Sequence, residues 1–381
     1  MQIDILPDLG SVSPQQWDAL DPTGNPFLRH AFLHSLERSG CVGIDTGWQP
    51  CHILLRDDAG ELRGAMPLYA KSHSYGEYVF DWAWARAYQG TGEHYYPKLV
   101  SAVPFSPVTG PRLLTDGDDA SARQLLQAAI QLAADYSSLH ILFPDARTTD
   151  WLATQDLLIR EGLQYHWNNR DYRDFDDFLS HFASRKRKQV KRERREAQAG
   201  GMQIECLEGA DIQPAHWDAM YRFYRATIDS KGAIPYLHRR FFHMLGESMP
   251  ESCVLFLARQ DGEHVAGALN LRGPQGLYGR YWGSIGDFPN LHFELCYYQG
   301  IDYCIRQGLP RFEAGAQGEH KIARGFLPEK TYSAHWLAHA GFREAVADFL
   351  ARERMGMDML ADDLRNHAPF RQCPPPEFED Q

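Results

Sequence analysis

No apolar run in this chain approaches the ~18 residues of a membrane-crossing helix, so no span is expected. The N-terminus, MQIDILPDLG, lacks the basic segment and apolar core of a secretory signal. No C-x-x-C pair occurs, and the seven cysteines are odd in number. That usage fits a reducing compartment better than a disulfide framework. Together these absences point to a cytoplasmic protein. Positive charge is also in short supply. A formal net charge of −11 argues against general affinity for nucleic acid and leaves room only for a local basic patch. No metal centre is expected either. His335 and His339 are spaced i, i+4, but the alternation around His335 reads as strand, and no cysteine or carboxylate completes a ligand set.

What remains is an ordinary globular composition, 44% apolar and 12% aromatic over 381 residues, long enough for two or three cores. Residues 14 to 40 carry two helical patterns, the second with Phe32, Leu33 and Leu36 on one face. CHILLRDD and ELRGAMPLYAKSH read as a hairpin turning at Ala59-Gly60. Gly76 to Tyr88 fits a strand or a buried aromatic run. Residues 119 to 136 read as helix, SLHILFPD as strand, TTDWLATQDLLIREG as a helix closed by Gly162, and GLQYHWNN as a last strand.

After Gly201 a similar order begins again. MQIECLEG is a strand, and two helices follow in HWDAMYRFYRATIDSKG and LHRRFFHMLGESM. A hairpin turns at Asp261-Gly262, GLYGRYWGS is a strand, a helix runs from Phe293, and RFEAGA is a strand. This repetition predicts an α/β (α+β) fold of two similar domains, each a mixed, mostly antiparallel sheet flanked by helices. The expected boundaries are 1–173, a basic linking helix at 174–200, a second domain at 201–370 and a loose tail at 371–381.

Chemistry concentrates in GAQGEHKIARGFLP, from Gly315 to Pro328, expected as a loop between two strands. Glu319, His320, Lys321 and Arg324 crowd it, with Glu313 just upstream. Dense polar groups on a loop held by strands suit a site on a rigid scaffold. Acyl transfer to an amine needs a base, an oxyanion donor and an acid for the leaving group. Lys321 suits the oxyanion or a phosphate, Arg324 a second cation, Glu319 or Glu313 the base, and His320 a proton relay near neutral pH. A solvated turn with incidental charges stays open as the bland alternative.

A second cluster, Lys71, His73, Tyr75 and Glu77 with Tyr96 and Lys98, sets aromatic rings beside lysines, which suits a sugar or a nucleotide. Between the halves the chain reads SRKRKQVKRERR. Helix-dipole terms below ~1 kcal/mol per charge do not call for eight cations in three turns. Arg185, Arg187, Lys188, Lys191 and Arg192 are therefore expected to face a polyanion such as nucleotide phosphate or RNA.

The runs KSHSYGEYVFDWAWARAY, YYPKLVSAVPFSPVTGPRLL, YGRYWGS, LHFELCYYQGIDYCI and FEAGAQGEHKIARGFLPEKTYSAHW resemble a bacterial family of FemAB-like proteins. The resemblance extends from about Asn25 to Phe370. That family is described as N-acyltransferases linked to peptidoglycan biosynthesis or recognition. The resemblance implies tandem domains of the GNAT (acyl-CoA N-acyltransferase) fold and, from FemAB proteins themselves, an aminoacyl-tRNA donor. It also implies a Phe-Lys pair followed by Gly-Phe, matched here by His320-Lys321 and Gly325-Phe326, with the first ring replaced. Acyl-CoA is the other donor to weigh. GNAT enzymes hold its pyrophosphate on Q/R-x-x-G-x-G/A between a strand and a helix, and Arg280, Trp282 and Gly283 lie at that place with an imperfect motif.

The resulting expectation is a transferase with acyl-CoA or aminoacyl-tRNA as co-substrate and no permanently bound cofactor. Its acceptor would be a small-molecule or peptide amine, possibly on a cell-wall precursor. Arg280, Trp282, Gly283, Glu294 and Glu313 are the further substrate-binding candidates. The rival is a non-catalytic protein that recognises a cell-wall precursor or another anionic ligand.

Overall fold

Where the local pattern is strong, the chain follows it. The first hairpin forms in the computed structural model, which describes residues 1–115, 117–316 and 318–371. His52–Arg56 pairs antiparallel with Leu62–Met66, Ile53 opposite Met66. Helix Asp119–Ala133 starts where Asp118 accepts from the Ala120 and Ser121 amides, satisfying donors that the first turn leaves orphaned. It buries Leu125, Leu126, Ala129 and Ala133 among Ile53, Leu55, Leu139 and Ile141, worth roughly 1.5–3 kcal/mol for each large aliphatic side chain.

One open alternative resolves and one local expectation fails, each for an identifiable reason. Gly76 and Tyr78 take left-handed backbone, at φ 81° and 61°, which ends any strand there. The aromatic run then continues as helix Trp82–Tyr88, burying Trp84, Ala85 and Tyr88. The helix expected to reach Gly162 stops earlier, as Ala146–Thr154, because Asp156 turns left-handed at φ 63°. Gly162 lies inside strand Leu158–Asn168 instead.

By its contacts the chain forms two units interleaved in sequence. One comprises Met1–Gly162, Tyr236–Met249 and Lys330–Met357; the other comprises Leu163–Pro235, Pro250–Glu329 and the described residues from Asp358 on. The contacts therefore do not divide the chain at 173 and 201. Helix Arg239–Ser248 belongs to the first unit, where Phe241 meets the Phe32 ring edge-on at 5.8 Å. The basic helix, Ser184–Ala197, belongs to the second unit and is not a free linker, since Val190, Glu193 and Ala197 are buried in it. Apart from Arg371, the tail expected at 371–381 lies outside the described residues.

In the first unit, strands run Trp48–Pro50, Tyr69–Lys71, Lys98–Ser101, Ser138–Leu142 and the Ser333–Leu337 stretch of Leu327–Leu337. Only the third and fourth are parallel. In the second, Gln203–Glu208, Cys253–Gln260, Glu263–Gly273 and Gly276–Ser284 form an antiparallel meander. Arg311–Glu313 then pairs parallel to Gly276–Ser284 and antiparallel to the end of Leu158–Asn168. A parallel pair needs a crossover, and residues 291–307 supply it as a helix. Its middle, Glu294–Tyr298, is a π-helical turn, a feature frequent near functional sites. The architecture is mixed α/β with mostly antiparallel sheets flanked by helices, as expected of tandem GNAT-like domains.

Candidate functional site

The segment after strand Arg311–Glu313 closes into a short 3₁₀ turn, Glu319–Arg324, which Gly325 ends at φ 92°. This turn sends its functional groups in different directions. Lys321 is 2% exposed, and its Nζ donates to the Gly315 carbonyl at 2.6 Å. Burial pushes its pKa down to about 7; Cys296 opposes that shift and Arg280 adds to it. Glu319 is exposed and has no hydrogen bond or ion pair among the described residues.

Glu313 is the more unusual acid. It is 2% exposed and lies opposite His166 across the ladder. Arg311 and Arg280 approach it only to 3.6 and 3.8 Å. Neither of its oxygens has a hydrogen-bond partner among the described residues. Burial raises its pKa, and the two guanidiniums pull it partly back.

Arg324 is committed to the fold. Its Nη2 donates to both Glu193 oxygens at 3.0 Å, its Nη1 to the His320 carbonyl at 2.7 Å, and its guanidinium lies 3.4 Å from the Phe293 ring centre. Glu193 also accepts from Gln189 and from the Tyr298 hydroxyl. His320 is hydrogen-bonded through Nε2 to Tyr297 at 2.8 Å. Its ring neighbours His292 and Phe293, with centroids 6.2 and 5.8 Å away. Glu193, Tyr297 and His292 escaped the sequence reading. The inward spacing of Val190, Glu193 and Ala197 on a basic helix was the available signal for the first.

The remaining substrate-binding candidates separate. Glu294, fully buried, accepts from Arg194, Gln198 and Gln299 and so serves as an anchor for the basic helix. Arg280, Trp282 and Gly283 lie within strand Gly276–Ser284, where sequence alone suggested a phosphate-cradling loop. A Cβ at Gly283 would fall 1.9 Å from the Phe223 carbonyl oxygen, so this glycine lets strand and helix touch. Trp282 meets His292 edge-on at 5.2 Å.

In the first unit Lys71, His73, Tyr75, Glu77, Tyr96 and Lys98 do come together. Lys98 donates to Ser74, Glu77 and Asp81, and the Tyr96 hydroxyl meets Ser74 at 2.8 Å. Lys71 Nζ lies 3.7 Å over the Trp48 ring and donates to the Tyr75 carbonyl. Burial drives Lys71 down to about 7 and Glu77 up to about 7. His335 shares a 2.6 Å Nδ1–Nδ1 contact with His140.

On the basic helix Arg185, Lys188, Lys191, Arg192 and Arg195 are exposed and Arg187 is half-buried. Lys191 pairs with Asp176 at 2.7 Å and Arg192 loosely with Glu196. Arg185, Lys186, Arg187, Lys188 and Arg195 have no ion pair among the described residues.

The profile of the FemAB-like family, described as peptidoglycan biosynthesis/recognition, matches residues 8–372. The chain belongs to the FemAB-like family. No curated protein matches its sequence. Among solved structures it is similar to FemX, with a TM-score of 0.54 at 13% identity, covering 91% of this chain and 100% of that one. A conserved protein of unknown function from Bacteroides thetaiotaomicron gives 0.51 at 11% identity, covering 87% and 99%. L-PGS from Bacillus licheniformis gives 0.50 at 10%, covering 80% and 90%. At such identities the likeness speaks for the fold alone. No helix among the described residues is long and apolar enough to cross a membrane.

The two depressed lysines make stability depend on pH. Lys71 and Lys321 release their protons near 7 when folded but near ~10.4 when unfolded. Between pH 7 and 8.5 the unfolded chain therefore binds more protons, and stability rises with pH. The ceiling is about 1.4 kcal/mol per lysine per pH unit. Glu77 acts in the opposite sense, but its contribution fades above 7; the buried cysteines oppose only above ~8.5. Thermal melts across this window should climb in the wild type and flatten in the Lys71→Met/Lys321→Met variant. A flat wild-type profile would mean that both ammoniums stay charged.

Proposed function

We propose that this FemAB-like protein is an N-acyltransferase that moves an aminoacyl group from an activated ester to an amine on a peptidoglycan precursor peptide. The observation that carries this reading is the buried Lys321, held on the Gly315 carbonyl two residues beyond a buried Glu313 whose oxygens have no hydrogen-bond partner among the described residues. The acceptor nitrogen attacks the acyl carbon, an N–C bond forms, and the ester C–O bond breaks. Glu313 takes the proton that the nitrogen loses and returns it to the ester oxygen as that oxygen leaves as a hydroxyl. Lys321 as ammonium stabilises the charge that develops on the carbonyl oxygen, a contribution commonly worth about 10²–10³ in rate.

Aminoacyl-tRNA is the donor this reading favours. The basic helix offers phosphate contacts on its outer face, and its inner face is tied through Glu193 to the turn that carries Lys321. The acyl-CoA alternative loses its motif, since Gly283 faces the Phe223 carbonyl.

The test is transfer of radiolabel from charged tRNAs, and separately from acyl-CoAs, to a nucleotide-linked muropeptide. Wild-type protein should label the peptide from tRNA, and Glu313→Gln should lower the rate by about 10²-fold or more, the usual weight of a general base. No transfer from either donor, with the muropeptide still raising the melting temperature, would establish a binding protein instead.

A further inference from the structure

His320 stands where the family resemblance puts a phenylalanine, and its surroundings say what an imidazole does there. Tyr297 is 3% exposed, and its hydroxyl bond to His320 is part-buried. Its only hydrogen-bond partner among the described residues is His320 Nε2, at 2.8 Å. A buried hydroxyl proton without an acceptor costs about 1–3 kcal/mol, so Tyr297 donates and Nε2 accepts. The ring then carries its proton on Nδ1.

That edge is left clear by the backbone. Gly318 has φ 113°, and a Cβ there would sit 2.5 Å from His320 Cε1 and 3.0 Å from Nδ1. The cations around the ring disfavour an imidazolium. Lys321 and Arg324, from its own turn, both lower its pKa, after the larger effect of burial. His292, from the crossover helix, is itself held down to about 4 by burial, and the adjoining Glu319 is exposed without a bond to the ring. With Nε2 occupied and Nδ1 protonated, the imidazole has neither a free lone pair to act as base nor a spare proton to act as strong acid.

We propose that His320 works as a neutral hydrogen-bond donor. Its Nδ1–H is offered, on the Gly318 side of the ring, to the oxygen on which charge develops, and Tyr297 is the positioning residue that fixes this tautomer. This replaces the proton relay suggested by sequence, and it rests on the acyl-transfer reading. A neutral imidazole serving as an electrophile in this way has precedent in triosephosphate isomerase.

Two measurements on the full chain test it. Nitrogen-15 spectra of histidine-labelled protein should show His320 protonated at Nδ1 and titrating below the ordinary imidazole range, with mixed tautomers in Tyr297→Phe. Activity should follow geometry. Asparagine places its amide N–H near the Nδ1 position and glutamine near Nε2. His320→Asn should therefore keep the rate within about tenfold, while His320→Gln falls with His320→Ala by about 10²-fold, the weight of one oxyanion donor. Tyr297→Phe should cost about tenfold in kcat with KM unchanged, because part of the ring population presents the wrong edge. An Nε2–H tautomer, ordinary titration near 6.5, or glutamine outperforming asparagine overturns the inference even if transfer is robust. Absence of transfer with the Nδ1–H tautomer present overturns the acyl-transfer reading on which it stands.

Discussion

Lys321→Ala should lower the transfer rate by about 10²-fold or more and leave the protein at least as stable at pH 7. Both halves of that expectation come from burial. In a site removed from water an ammonium aimed at developing negative charge acts through a low effective dielectric, so losing it is expensive for the transition state. The same burial penalises the charge in the resting fold, which is why the pKa falls to about 7. Lys321→Met fills more of the vacated volume and should match alanine in rate while gaining in melting temperature. Arginine should not rescue, since the 2.6 Å contact to Gly315 leaves a guanidinium no room at the same place. Single-turnover rates beside thermal melts decide it. Joint collapse of rate and fold would make Lys321 a structural residue.

The second large effect belongs to the basic helix. Arg185, Lys188, Arg192 and Arg195 follow i, i+3, i+7, i+10 spacing and are all exposed, so they form one stripe. If each contacts a phosphate of a duplex stem, log K should fall against log salt with a slope of about −3 to −4. Affinity for tRNA would then drop about 10²-fold between 50 and 200 mM salt. Changing all four to glutamine should abolish that dependence. Glu193 and Arg194 must stay, because they hold Arg324 and Glu294. Salt-independent binding, or a quadruple variant that binds like wild type, would remove the polyanion role and with it the preference for a tRNA donor.

How much of this was legible beforehand depends on the range of the interaction. The hairpin at His52–Met66 and the helices at Asp119–Ala133 and Pro214–Ser230 follow from periodicity and caps, which a sequence displays directly. The turn carrying Glu319 to Arg324 was visible as a concentration of charge. Its sorting was not. Nothing in GEHKIAR says that Lys321 goes inward and Glu319 outward, or that Arg324 finds its carboxylate 131 residues away on the basic helix. Sequence left Glu319 and Glu313 as alternative bases because a strand position hides burial, and burial is what raises the pKa of Glu313. Gly283 was read through the Arg280-x-x-Gly283 spacing as a phosphate position, and sequence could not show that a Cβ there would meet the Phe223 carbonyl of a helix sixty residues upstream.

The interleaving of the two units has a consequence for how the chain is made. The first unit's core includes Ala334 and, in its aromatic part, Phe342, Val346 and Leu350; the second unit's core includes Leu364. Domains usually form one after another as the ribosome releases them, N-terminal first. Here neither core can close until the stretch from Ala334 to Leu364 has left the exit tunnel. The nascent protein must wait with its apolar surfaces uncovered, and dependence on holding chaperones during synthesis is the expected cost of that design.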